Sequence, residues 1–125
     1  MSAKKKRTIL VVEDDNDSRH LICKMLETLG HSPIGFASGK DALAGIVGKK
    51  FDLALIDIMM PEMNGYELLA QLREMENWSE TPVIFVTAKD QDSEILEGYN
   101  YGADYYITKP FTAKQLEYGI QIVTE

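Results

Sequence analysis

The chain has 125 residues, 45% hydrophobic and 26% charged, which fits one globular domain and excludes both a disordered chain and a two-domain protein. Its net charge of −7, with a strongly basic run only at Lys4 to Arg7, argues against a nucleic-acid surface, because phosphate binding needs clustered Lys and Arg. No apolar stretch approaches the roughly 18–20 residues that cross a bilayer, and the single Cys23 permits no internal disulfide, so the expected location is the cytoplasm.

Residues 1–7 read as a flexible basic tail and 8–125 as the folded domain. The first predicted strand, 8–12, contains Ile9-Leu10-Val11-Val12 and ends at Glu13-Asp14-Asp15. A helix follows over 16–29, with N-cap side chains from Asp15 to Ser18, apolar residues at helical spacing in Leu21, Met25 and Leu29, and Gly30 as its stop. A weaker strand, 33–36, and a helix, 39–48, come next. The apolar run at 52–56 predicts a strand that delivers Asp57, followed by Ile58-Met59-Met60-Pro61-Glu62-Met63, and Asn64-Gly65 opens a helix over 65–76. A strand at 82–86 leads to Thr87-Ala88, a helix spans 91–101, a strand at 104–107 leads to Lys109-Pro110, and Thr112 opens a last helix over 112–123. Strands that are continuously apolar rather than alternating are buried on both faces, so the elements assemble as a doubly wound α/β sandwich around a five-stranded parallel sheet. Ligands of such sheets bind beyond the carboxyl ends of the strands, where strand order reverses.

Several conspicuous residues read as structural. Met59, Met60 and Met63 fill loop and core space. Trp78 packs at the loop before the fourth strand, Cys23 is a small buried hydrophobe, and His20 and His31 lack metal-ligand spacing and read as surface or helix-edge residues.

The chemistry gathers at the strand ends. If the strands 8–12 and 52–56 are neighbours, Glu13, Asp14 and Asp57 approach one another, and two unit charges 4 Å apart repel by about 4 kcal/mol at an effective dielectric near 20. Lys109 supplies one compensating charge. A hard divalent ion on oxygen ligands supplies two, with Mg²⁺ favoured because it keeps several waters. The natural ligand of that assembly is a phosphoryl group carried by Asp57 as nucleophile, with the Thr87 hydroxyl as hydrogen-bond donor. Each residue alone also has a local reading, Thr87 as an ST-turn and Asp14 and Asp15 as helix caps; their joint placement at four strand ends favours one site.

With these motifs in view, the chain resembles the receiver domains of two-component response regulators over residues 8–123. The family pattern is an acidic pair after strand 1, a phosphorylated aspartate after strand 3, Thr or Ser after strand 4 and Lys-Pro after strand 5. Here those positions hold Glu13 and Asp14, Asp57, Thr87-Ala88, and Lys109-Pro110-Phe111. The resemblance implies a flavodoxin-like three-layer (βα)5 sandwich with sheet order 2-1-3-4-5. It implies Mg²⁺, with Mn²⁺ able to substitute, held by Asp14, Asp57 and the Met59 backbone carbonyl, with Glu13 acting through water. It implies a cis Lys109-Pro110 bond and a switch aromatic at Tyr106. The phosphoryl donor would be a phosphohistidine on a sensor kinase or histidine phosphotransfer protein. Thr87 and Tyr106 would then remodel the face made by the 91–101 and 112–123 helices and the 104–107 strand. The protein would be a switch that catalyses its own phosphorylation and dephosphorylation rather than a turnover enzyme. Its output would pass to a downstream protein or a missing output domain, without direct contact to nucleic acid or membrane.

Two departures from the family narrow the expectation. Many DNA-binding members pair through a charged face bearing Gly-Ala-Asp-Asp-Tyr, whereas this chain has Gly102-Ala103-Asp104-Tyr105-Tyr106 and no arginine on the last helix, so a monomer or weak dimer is expected. Tyr99, Tyr101, Tyr105 and Tyr118 offer protein-contact area there instead. Three alternative functions compete with this reading. An aspartyl-phosphate phosphatase would need a second acid two residues after the nucleophile, where Met59 stands. A flavodoxin-like electron carrier would need a phosphate-cradling loop after strand 1, where Glu13 to Asp17 would repel phosphate. A non-phosphorylated pseudo-receiver acting as a protein-interaction module is the third option, weakened because no site residue is missing.

Overall fold

Five short strands, three of them rich in Val, Ile and Leu, pair side by side, all in one direction, in the computed structural model, which describes residues 6–88 and 102–124. These are β1 (Thr8–Val12), β2 (Ser32–Phe36), β3 (Leu53–Asp57), β4 (Val83–Ala88) and β5 (Tyr105–Lys109), in the expected sheet order β2-β1-β3-β4-β5. The described helices are α1 (Asn16–Thr28), α2 (Gly39–Gly45), α3 (Gly65–Arg73) and α4 (Ala113–Thr124), with a 3-10 turn at Glu76–Trp78. The helix expected at 91–101, together with Tyr99 and Tyr101, lies outside the described residues. Among the described residues no helix is long and apolar enough to cross a membrane.

Each central strand buries both faces, which explains its continuous apolar run. Leu10, Val12, Ala54, Ile56, Val83 and Phe85 point to one side, where they meet Ala42 and Ile46, Leu68, Leu69 and Leu72 of α3, and Trp78. Ile9, Val11, Leu53, Leu55, Ile84 and Ile107 point to the other, against Ile22 and Leu26 of α1 and Leu116 and Ile120 of α4. The result is the expected three-layer sandwich. Pro33 and Gly35 are tolerated in β2 because it is an edge strand, paired only with β1.

Helix termini follow local chemistry. Asp15 caps α1 by accepting from Ser18 N at 2.8 Å. Asn64 caps α3 in a capping box closed by Glu67, and Thr112 exchanges the same pair of bonds with Gln115 ahead of α4. Gly30 ends the first helical segment at φ 93°, a left-handed conformation that favours glycine.

Four expectations need correction. Leu21 is 56% exposed, and the buried stripe of α1 runs instead through Ile22 and Leu26, because the sheet meets the helix one residue round from the Leu21–Met25 line. His31 is buried, not at the surface; its Nδ1 accepts from Arg7 N at 3.1 Å. Cys23 is only half-buried. Helices α2 and α3 end three residues before their predicted ends at 48 and 76. In α2, Gly45 lies so close to Phe36 that a Cβ would sit 2.3 Å from the ring.

At the sheet end where β4 and β5 begin, one side chain ties several loops together. The Arg73 guanidinium donates to Trp78 O (2.8 Å), Thr81 O (2.6 Å), Gly102 O (2.9 Å) and the Asp104 carboxylate (3.2 Å). Arg73→Gln would leave most of these carbonyls without a donor, and a loss of about 2 kcal/mol is expected, seen as a melting temperature lower by about 8 °C in thermal unfolding.

Candidate functional site

The strands run one or two residues further than their apolar runs suggest, which places the polar residues inside the sheet ladder. Asp57 is the last residue of β3 and pairs with Val86; Thr87 pairs with Thr108, and Ala88 with Lys109. Asp57, Thr87 and Lys109 are therefore held by strand backbone, with Glu13 and Asp14 just past β1. Glu13 N donates to Phe36 O at 3.1 Å, so β2 fixes the start of the acidic loop.

These elements bring the expected groups together. Carboxylate oxygens of Glu13, Asp14 and Asp57 lie within 4.8 Å of one another. Glu13 is 1% exposed and Asp57 7% exposed, while Asp14 faces solvent. The Lys109 ammonium reaches Glu13 Oε1 at 2.5 Å and Asp57 Oδ2 at 3.6 Å. Thr87 is fully buried, and its hydroxyl donates to Ala88 O over a long 3.4 Å. The Lys109–Pro110 bond is cis, as expected. Tyr106 is half-buried with its ring 5.6 Å from that of Phe85, and the neighbouring Ile107 is the core residue. Met59 is 60% exposed at the mouth, and its backbone N–H donates to Asp57 Oδ1 at 3.2 Å. Met60 is buried and Met63 packs against the core.

The electrostatics follow from burial. Asp57 is pushed up to about 7, first by its removal from water and then by the hydrogen bond and negative charge of Glu13, with Lys109 and the Met59 amide opposing. Burial would also raise Glu13, but its hydrogen bonds to Asp57, Lys109 and the Asp15 backbone outweigh that and hold it below the usual carboxylate range. For Lys109, desolvation is outweighed by its bond to Glu13 and the charge of Asp57, so the ammonium is held more firmly than usual. A hydrogen bond between two carboxyl groups requires one proton between them, and Asp57, the carboxyl that is pushed up, is the one that favours holding it. The pocket is short of positive charge, and its donor set is hard oxygen, which fits a divalent cation such as Mg²⁺.

Two residues that shape this pocket were not identified from sequence as doing so. A Cβ on Gly65 would sit 2.7 Å from Asp57 O and 2.9 Å from Ile58 Cα, so glycine lets α3 start directly against the aspartate's backbone, where Gly65 N donates to Ile58 O. The Asn64-Gly65 pair signalled the helix start but not this approach. The Arg19 guanidinium donates to Glu13 O at 2.9 Å, a contact that no local motif announces.

The family model for the response regulator receiver domain matches residues 9–121. The chain belongs to this family. The receiver domain is 36% identical over 118 residues to the transcriptional regulatory protein RprY of Bacteroides fragilis, covering 94% of this chain and 49% of that protein. It thus spans about half the length of that relative. Among solved structures, the Francisella response regulator 1452 receiver domain superposes with a TM-score of 0.84 at 34% identity, covering 95% of this chain and 97% of that one. The chemotaxis protein CheY4 of Vibrio cholerae superposes with a TM-score of 0.90 at 28% identity, covering 95% and 99%.

Proposed function

We propose that the receiver domain accepts a phosphoryl group onto Asp57 from a phosphohistidine of a sensor kinase or histidine phosphotransfer protein. The observation that carries this reading is the enclosure of the Asp57 carboxylate by Glu13, Asp14 and Lys109 at the ends of adjoining strands. In the transfer a carboxylate oxygen of Asp57 forms a bond to phosphorus as the phosphorus–nitrogen bond breaks, and the imidazole leaves. Asp57 must be ionised to attack, so its proton must leave first. Asp14, Asp57 and the Met59 carbonyl, with Glu13 through water, would hold a divalent cation such as Mg²⁺, whose charge would favour the ionised carboxylate and the phosphoryl oxygens. Lys109 reaches the same carboxylate from β5 and neutralises oxygen charge as it develops.

Among the described residues the Thr87 hydroxyl makes one long bond, to Ala88 O at 3.4 Å, a weak hold from which it would turn toward the phosphoryl oxygens. Thr87 and Tyr106 lie on the paired strands β4 and β5, so that turn is felt beside the Tyr106 ring. Since this ring already leans on Phe85, the switch is a shift along Phe85 rather than entry from solvent. The remodelled face is read by a downstream protein or a linked output domain.

Intact mass after incubation with acetyl phosphate and Mg²⁺ tests the reading. The native chain gains one labile phosphoryl group, whereas Asp57→Asn and an EDTA control gain none. Absence of any gain on folded, Mg²⁺-loaded native protein, repeated with phosphoramidate, would refute it.

A further inference from the structure

Glu13 is tied to β2 through its N–H, which donates to Phe36 O at 3.1 Å, but Asp14 lies beyond that last rung of the ladder, and both must present carboxylates to one point. The peptide unit between them is planar, so the Glu13 carbonyl oxygen lies in one plane with both Cα atoms. A grip on that oxygen fixes the plane from which both residues leave, and so restricts the directions their side chains can take. Arg19 grips it, with Nη1 donating to Glu13 O at 2.9 Å and Nη2 to Asn16 Oδ1 at 2.5 Å. The arginine is itself fixed. Its backbone N–H bonds Asp15 O at 2.9 Å, and its stem lies over Gly35 of β2, where a Cβ would stand 3.3 Å from Arg19 Cγ and Cδ. The guanidinium fork thus ties the acidic loop to α1, while the aliphatic stem rests against the edge strand.

We infer that Arg19 is a positioning residue for the cation site, aiming Glu13 and Asp14 through the peptide plane they share. This rests on the reading of Glu13, Asp14 and Asp57 as a divalent-cation site. A positive charge near that site should by itself weaken cation binding, so the charge and the positioning role of Arg19 have opposite signs. Lys at this position keeps the charge but loses the fork that reaches two acceptors.

Mg²⁺ titration followed by the Met59 amide resonance separates the two. Positioning predicts that Arg19→Gln and Arg19→Lys each bind Mg²⁺ about tenfold more weakly than the native chain, the loss usual when a group orienting metal ligands is removed. Both variants should still melt cooperatively in EDTA. Tighter binding by Arg19→Gln with unchanged binding by Arg19→Lys would show a charge effect alone and overturn the inference. A variant unfolded at the assay temperature would overturn it in favour of a general structural role. If the native chain binds no Mg²⁺, the cation reading fails and this inference with it. If the native chain binds and both variants match it, only this inference fails.

Discussion

Asp57→Asn is expected to stabilise the cation-free receiver domain by roughly 2 kcal/mol at about pH 8, while abolishing phosphoryl uptake. The sign follows from proton linkage. Asp57 titrates near 3.8 in the unfolded chain and at about 7 in the fold, so the folded state holds its proton more tightly. Below the unfolded value both states are protonated and the aspartate costs nothing. The cost grows as pH rises between the two values and is complete above about 7. Holding the proton that much more tightly in the fold corresponds to about 4 kcal/mol; Glu13, held in the opposite direction, returns part of it, which leaves the smaller net figure. Asn preserves the shape of the side chain without the buried charge. Thermal melts in EDTA should therefore show the variant above native at about pH 8, with the gap closing toward about pH 4. Saturating Mg²⁺ should raise native by about 2.7 kcal/mol at a hundredfold excess over its dissociation constant. The variant, which has lost a charged ligand, should gain less. A native protein whose cation-free stability rises with pH through 7 would contradict the assignment.

Lys109→Ala is expected to lower the rate of phosphorylation by acetyl phosphate about 10²–10³-fold, the loss typical of removing one preorganised donor to a developing oxyanion. The ammonium also holds Glu13, whose side chain is only 2% exposed, and faces Asp57. Without it two buried carboxylates lack their cation, and a stability loss of about 2 kcal/mol at neutral pH is expected. Because the strain is largely between Glu13 and Asp57, adding Asp57→Asn should recover much of that loss, and unfolding of the double variant measures it. Mg²⁺ affinity of Lys109→Ala should rise, since a competing positive charge has gone. Phosphorylation at the native rate would show that Lys109 pairs with Glu13 for structure alone.

Much of this molecule was legible from the order of its residues. Continuous apolar runs at Ile9 to Val12 and Leu53 to Ile56 announced two-face burial, because a strand covered on one side only would alternate. Asp57 and the acids at 13–15 stood out because charge directly after such a run needs a reason, and Lys109-Pro110 completed the pattern. Those signals are local, written in neighbours along the chain. What the tertiary structure decided is how far each strand runs, since the ladder continues through Asp57, Thr87 and Lys109 only because a partner strand lies alongside. It also decided which side of α1 is buried, Ile22 and Leu26 rather than Leu21, a rotation that periodicity leaves open when both stripes are apolar. It placed His31 inside and set Arg19 on the Glu13 carbonyl. It alone showed that Gly65 must be bare where α3 meets the Asp57 backbone. Sequence determined which groups would collect at the strand ends because that follows from chain order; their aim and ionisation depend on distances across the sheet and exclusion of water, which arise only when strands distant in the chain are packed together.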